Sequence, residues 1–342
     1  MNVTYYKTLP KDYFDNLYTR VADKLTHNQN VCISVIRGGG ARTIFNHLNN
    51  YLLEDKLFGE IKVFDPEIED VNLTDFIKTL VDTPRQRLVI IISFEQISDK
   101  QIVLTKLDSL RRRHPELLTF LAITDHNVIT NPESYQTTSS IFFSDIIYVP
   151  PFNRIQTEKM INTLTYFYGW EIKPNIVDKI YNLSGGNPRL IKYFCKEVSE
   201  SNYPISNFEK FILVPQINFQ LNLISKLLIT TPVSKLDLLG LTEKEGKIIS
   251  RLVRYYLKNY KSDIINALYP ALGNTEAKIA SFLIESEGRV VSIDKIANLV
   301  KMTDDNFSLW AIYKMISRLK PKLKNNFKIH NIKGRGYLLT KN

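Results

Sequence analysis

Phosphate chemistry is the first possibility the residues raise. Asn30 to Ile36 is a short apolar run that leads straight into Arg37, Gly38, Gly39 and Gly40, and Ala41 to Leu48 then carries apolar side chains at helical spacing. A strand, a glycine loop and a helix form the layout in which backbone N–H groups face phosphate oxygens. In that layout a Lys reaches the terminal phosphates and a Ser or Thr hydroxyl holds Mg²⁺. Here the Lys is missing. In one register Arg37, Gly38 and Gly40 fit, with Val35 in place of the first Gly, Ala41 in place of the Lys and Arg42 in place of the hydroxyl residue. One residue later, Arg42 replaces the Lys and Thr43 supplies the hydroxyl, while Ile36 and Ala41 displace both glycines. Neither register is complete, so Arg37, Gly38, Gly39, Gly40, Arg42 and Thr43 read as a degenerate nucleotide loop, and no catalytic residue is assigned.

The carboxylates that phosphoryl transfer needs are also thin. Leu88 to Ser93 reads as a buried strand and is followed by Phe94-Glu95-Gln96, where an ATPase places the Asp-Glu pair that organises Mg²⁺ and activates water; only Glu95 stands near it. A third buried strand, Leu117 to Thr124, ends at Asp125-His126-Asn127. Asp125 beside His126 could do acid and base chemistry, but the pair reads better as a polar strand end.

A second kind of chemistry sits at the other end of the chain. The formal charge is +10, and from residue 272 onward there are 13 Lys and Arg against 6 Asp and Glu, a net of +7, leaving only +3 for everything before. Such a local excess favours a polyanion through counterion release, although a charge run alone is often only a solvated face. Thr275 to Glu285 has helical spacing, Gly288 to Ser292 is a turn and short extended stretch, and Ile293 to Val300 is a second helix capped by Ser292. On Ser308 to Leu323, Ile312, Ile316, Leu319 and Leu323 share one face and are expected in the core. Trp310, Tyr313, Lys314, Ser317 and Arg318 point elsewhere, where a helix can present donors and apolar edges to a partner. Pro321 is expected to threaten the last turn. Phe327 to Leu339 reads as a closing hairpin in which Gly334 and Gly336 suit a tight turn, Lys333 and Arg335 reach phosphates or a minor groove, Tyr337 packs, and His330 is an exposed strand residue.

This order of elements resembles the winged-helix DNA-binding domain of OmpR/PhoB-type response regulators, which implies double-stranded DNA as partner. The family's receiver domain is not recognisable, so control by phosphorylation is not inherited. Residues 10 to 200 resemble an AAA+ ATPase fold, of the Orc/Cdc6-like or STAND type, on the order of strands and on Ser184-Gly185-Gly186-Asn187-Pro188-Arg189-Leu190, which is similar to a segment of the helical lid. The resemblance implies a sensor role for Arg189. The plainer reading is that Gly185-Gly186 caps one helix, Asn187-Pro188 starts the next and Arg189 lies on the surface.

The elements needed to position these residues follow. The fold class expected is α/β: a parallel-sheet AAA+-like domain over 1–150, a helical lid over 151–205, a helical connector over 206–271 and an α+β winged-helix domain over 272–342. In the connector, Leu241 to Glu245 is expected to open a helix with a Thr cap, and Arg251, Arg254, Lys258 and Lys261 to form a solvated basic edge. With 44% hydrophobic and 23% charged residues the composition is that of a soluble globular protein. Cys32 and Cys195 read as buried thiols rather than a disulfide or metal site, which suits a reducing cytoplasm. No run approaches the roughly 18 apolar residues of a membrane span.

The leading reading is a non-enzymatic DNA-binding protein, a transcriptional regulator or nucleoid-associated factor, whose pseudo-ATPase domain serves oligomerisation or partner contacts. No cofactor or metal is expected, with ATP or ADP held as a structural ligand as the other reading of the loop. The alternatives are a nucleotide-gated Orc/Cdc6-like or STAND-type ATPase, and an inactive structural subunit of a clamp-loader-like assembly.

Overall fold

The structure is a computed structural model that describes residues 9–82, 85–138, 141–201, 204–243, 246–302 and 308–342. Two compact units are present, Met1–Tyr181 with Gly185–Ile205, and Asn182–Ser184 with Ser206–Asn342.

The first unit is built on β1 (Val31–Val35), β2 (Glu60–Phe64), β3 (Arg87–Ile91), β4 (Leu118–Thr124) and β5 (Asp145–Val149), all parallel, in the order β2-β3-β4-β1-β5. β1, β3 and β4 are buried along their whole length. Their near-continuous apolar composition follows, because helices cover both faces. α1 (Leu17–Thr26) and α2 (Ala41–Glu54) lie on one face. α3 (Leu73–Leu80) and α4 (Lys100–Arg113) pack on the other, against Cys32, Val89, Ile91, Phe120 and Ala122. Asn30, fully buried, fixes the strand start: its amide donates to the Phe142 carbonyl at 3.0 Å and accepts from the Phe120 N–H at 3.2 Å. Edge strand β2 is half-exposed over four of its five residues, and its weak apolar pattern hides it in the sequence.

α5 (Arg154–Tyr168), α6 (Val177–Ser184) and α7 (Pro188–Glu200) follow. Gly185 ends α6 in the left-handed region at φ +59, its N–H donating to the Tyr181 carbonyl at 2.8 Å. Asn187 opens α7 with its side chain accepting from the Leu190 N–H at 3.1 Å and Pro188 at the first position. Arg189 is exposed, as the plainer reading expects. Gly186 is required by close approach: at φ +74, a Cβ there would lie 1.8 Å from the Phe152 carbonyl oxygen.

The second unit begins with α8 (Pro215–Thr230) and α9 (Val233–Leu238). The helix expected to open at Leu241 is instead an antiparallel pair, β6 (Thr242–Glu243) with β7 (Lys247–Ile248), and the next helix, α10 (Arg251–Leu268), is capped by Ser250. Lys244 and Glu245, which belong to that expected helix start, lie outside the described residues, and Gly246 adopts φ +75. Arg251, Arg254 and Lys258 are exposed as expected, but Lys261 is half-buried. α11 (Asn274–Glu285), β8 (Val290–Val291), α12 (Ile293–Leu299), α13 (Leu309–Leu323), β9 (Phe327–Ile332) and β10 (Gly336–Lys341) complete the chain, with the three strands antiparallel in the order β8-β10-β9. The α/β class with a C-terminal winged-helix domain is therefore what the structure has. Cys32 and Cys195 are both free and buried. Burial raises both thiols, Cys195 to about 12, which leaves them inert. Among the described residues no helix is long and apolar enough to cross a membrane.

Candidate functional site

In the second unit, α13 presents two chemically different faces. Ser308 caps it, its hydroxyl accepting from the Ala311 N–H at 3.2 Å. Ile312, Ile316, Leu319 and Leu323 are buried as the spacing requires, and Trp310, Tyr313, Lys314, Ser317 and Arg318 are all exposed. The helix contains Lys314, Arg318, Lys320 and Lys322 and no acidic residue. Pro321 does not break it. The bond it forfeits is to the carbonyl of Ser317, an exposed residue. Lys322 is structural: its Nζ lies 2.9 Å from the Ala271 carbonyl and 2.5 Å from Oε2 of Glu276, which in turn accepts the Gly273 N–H at 3.0 Å. Burial pushes the Glu276 carboxyl up, but the Lys322 and Gly273 donors outweigh it and hold it below the ordinary carboxylate range.

The wing places its two basic side chains on the turn between β9 and β10. The Arg335 N–H donates to the Ile332 carbonyl at 2.9 Å and Gly334 adopts φ +71, so Lys333 and Arg335 both stand exposed. The two glycines do not share one role. Gly334 makes the turn, whereas Gly336 at φ +130 begins β10 where a Cβ would lie 2.0 Å from the Val291 carbonyl oxygen of β8. Tyr337 is buried, as expected of a packing residue. His330, expected to be exposed, is half-buried with Nε2 3.1 Å from the Thr340 hydroxyl on the paired strand. Behind the wing, Lys341 is almost buried and donates to the Leu228 and Thr231 carbonyls at 3.0 and 2.9 Å, tying β10 to the C-terminus of α8.

In the first unit the glycine loop lies where the sheet changes direction. The connection from β1 crosses to the far edge at β2, and that from β4 passes over β1 to β5, so their carboxyl ends open a crevice. Gly40 at φ +96 is the helix N-cap and Ala41 the first helical residue. The first side chain of that helix is therefore the aliphatic stub of Ala41. Arg42 turns away from the loop: Nη1 lies 2.8 Å from Oδ2 of buried Asp65 as an ion-pair contact without hydrogen-bond alignment, and Nη2 donates to Oε2 of Glu67 at 2.9 Å. Arg37 Nε lies 3.7 Å from Oδ2 of Asp125. Thr43 sits half-buried on the first turn of α2. Gly39 donates to the Ile36 carbonyl at 2.8 Å, and a Cβ there would meet the Val35 side chain at 2.4 Å and the Ile36 carbonyl oxygen at 2.8 Å, so the position has room only for glycine. The Gly38 carbonyl accepts the Arg189 N–H at 3.1 Å, joining the loop to the start of α7.

The acidic strand ends are turned inward as well. Asp125 accepts from the Asn127 N–H at 2.9 Å and from its side-chain amide at 2.8 Å, which is a strand-end cap rather than half of an acid and base pair. Glu95 accepts the Asp125 N–H at 3.2 Å, and burial raises its carboxyl. Burial likewise holds His126 below the ordinary histidine range, with Asp125 opposing. Asp65 and Glu67 carry no signal in the sequence; they follow edge strand β2, and parallel pairing, not proximity in the chain, brings them to Arg42.

Residues 270–339 match the family model described as transcriptional regulatory protein, C terminal, so this segment is an OmpR/PhoB-type winged helix. No curated protein matches the chain. Among solved structures, the RuvB Holliday junction branch migration motor of Thermotoga maritima aligns at 13% identity and TM-score 0.42 over 97% of this chain and 92% of its own. The Orc1 protein of Aeropyrum pernix in complex with DNA aligns at 12% and 0.43 over 95% and 87%. A Walker-type ATPase of Pyrococcus abyssi aligns at 11% and 0.45 over 95% and 92%. Likeness at this distance assigns no residue and no activity here.

Proposed function

We propose that this chain is a DNA-binding regulator of transcription that docks duplex DNA through α13 and the wing turn, and that its sheet unit is a non-hydrolysing AAA+-like module for partner contacts or self-association. The observation that carries this is a helix that exposes Lys314, Arg318 and Lys320 and holds no acidic residue, beside a wing turn whose Lys333 and Arg335 meet no carboxylate among the described residues. Such side chains keep their full charge for phosphates, which makes affinity steeply salt-dependent.

The loop supports the second half of the proposal. A working phosphate site offers a Lys and open donors; this one offers Ala41, a Val35 side chain packed close under Gly39 and two guanidiniums already paired with Asp65, Glu67 and Asp125. Entering phosphates must displace carboxylates. A second reading, in which nucleotide gates the protein, draws on the Arg189 N–H to Gly38 carbonyl bond, through which any ligand that moved the loop would pull on α7.

The test is the affinity of the full chain for random-sequence duplex across a salt series, with and without ATP, beside Lys333→Ala/Arg335→Ala. A steep slope that flattens in the double variant and ignores ATP is the expected result. An ATP-dependent affinity makes the gated reading the correct one, and no binding at low salt makes the winged helix a protein-contact module.

A further inference from the structure

The recognition face of α13 is unevenly composed. Its first five residues expose Leu309, Trp310 and Tyr313, at 46%, 68% and 45% of their surface, and carry no charge, whereas the charged donors Lys314, Arg318 and Lys320 begin with the sixth. Large apolar side chains this exposed are costly in solution and mark a surface that meets something. Lys314 Nζ stands 4.7 Å from the centre of the Trp310 ring, a cation–π contact on the exposed face of the helix.

Helices that enter the major groove put their N-terminal residues against base edges, while phosphates flank them. Four edges are on offer there, and three present hydrogen-bonding groups alone; only thymine adds an apolar group, its C5 methyl. A helix start, Leu309 to Tyr313, that exposes Leu, Trp and Tyr and holds no Arg, Lys, Asn or Gln is mismatched to guanine and adenine edges and matched to that methyl. The basic residues that follow, together with the absence of acid on the helix, match the phosphates on either side.

We infer that α13 reads thymine C5 methyl groups in the major groove through Trp310 and Tyr313, with Leu309 at the edge of the contact. The sites this protein prefers then carry thymines where the start of the helix docks, and Lys314 and Arg318 hold the register rather than the sequence. This rests on the proposed docking of DNA by α13.

The experiment selects duplexes from a random-core library with the full chain, then resynthesises the enriched duplex with deoxyuridine for deoxythymidine, which removes the methyl and nothing else. Enrichment of thymine is expected, with affinity falling about fourfold for each interfacial methyl removed, as for burying one methylene-sized group. Trp310→Ala binds the thymine and uracil duplexes more nearly alike; Tyr313→Phe, which keeps the ring, retains the discrimination. Lys333→Ala/Arg335→Ala weakens both duplexes and leaves their ratio intact. Equal affinity of wild type for both duplexes, with salt-dependent binding persisting, overturns the inference and leaves the DNA-binding function standing; the apolar turn then belongs to a protein partner. Loss of all duplex binding at low salt overturns both.

Discussion

Basic side chains have opposite fates in the glycine loop and in the winged helix. At the loop, Arg42 and Arg37 fold onto Asp65, Glu67 and Asp125 of neighbouring strand ends. On α13 and the wing, Lys314, Arg318, Lys333 and Arg335 face solvent, while Lys322 fastens its helix to Glu276 of α11 and Lys341 fastens β10 to Glu287 and the end of α8. The lesson is that a charged residue's neighbours, not its type, decide whether it can meet a phosphate. An arginine held by a buried carboxylate must lose that partner before it gains another, while an exposed lysine releases only counterions.

The comparison can be broken most severely at a glycine. Gly336→Ala forces a Cβ into the Val291 carbonyl at a positive φ and is expected to destabilise the second unit by about 3 kcal/mol, abolishing DNA affinity with it. Denaturant unfolding followed on the full chain would show an early transition for that unit. Gly334→Ala, with open space around its Cβ, should cost far less. If the two variants unfold alike, the close approach of β8 is not what Gly336 serves.

Lys333→Ala/Arg335→Ala comes next. It should lower the slope of log affinity against log salt by about two, one per phosphate contact, and change the unfolding free energy by less than about 0.5 kcal/mol. A stability loss large enough to explain the affinity change would mean these residues are structural, like Lys322. Arg42→Ala is the mirror experiment: a stability loss of about 1 kcal/mol, from leaving Asp65 buried without its cation, and unchanged DNA affinity. Calorimetry with ATP belongs beside it, since nucleotide binding that vanished in Arg42→Ala would make the loop a ligand site.

Acid titration separates the regions by the smallest effects. His126 is held below the ordinary histidine value near 6.5, so the unfolded chain takes up its proton first, and the stability that neutral His126 represents is lost as pH falls from about 6.5 toward its folded value. Glu276 is held below the ordinary glutamate value near 4.3, so its contribution is complete above that pH and is lost only on further acidification. Stability curves of His126→Gln and Glu276→Gln, compared with wild type, should therefore differ in separate pH windows.

Much of both regions is legible in the residues themselves. The buried strands, the Ser292, Ser308 and Asn187 caps, the α13 core face and the basic wing depend on periodicity and on bonds spanning three or four residues, and the chain states these locally. The sequence likewise settles that no Lys stands in the loop. What it leaves open requires distant partners. Parallel pairing of β2 delivers Asp65 and Glu67 to Arg42, and the approach of β8 gives Gly336 a role that Gly334 lacks. Thr242 reads as a helix cap in the sequence and pairs as a strand in the structure, because the two uses of a threonine look the same until Ile248 lies across from it. Local hydrogen bonding writes elements into sequence, whereas the pairing of charges and the clearance around a Cβ are properties of surfaces that meet only after folding.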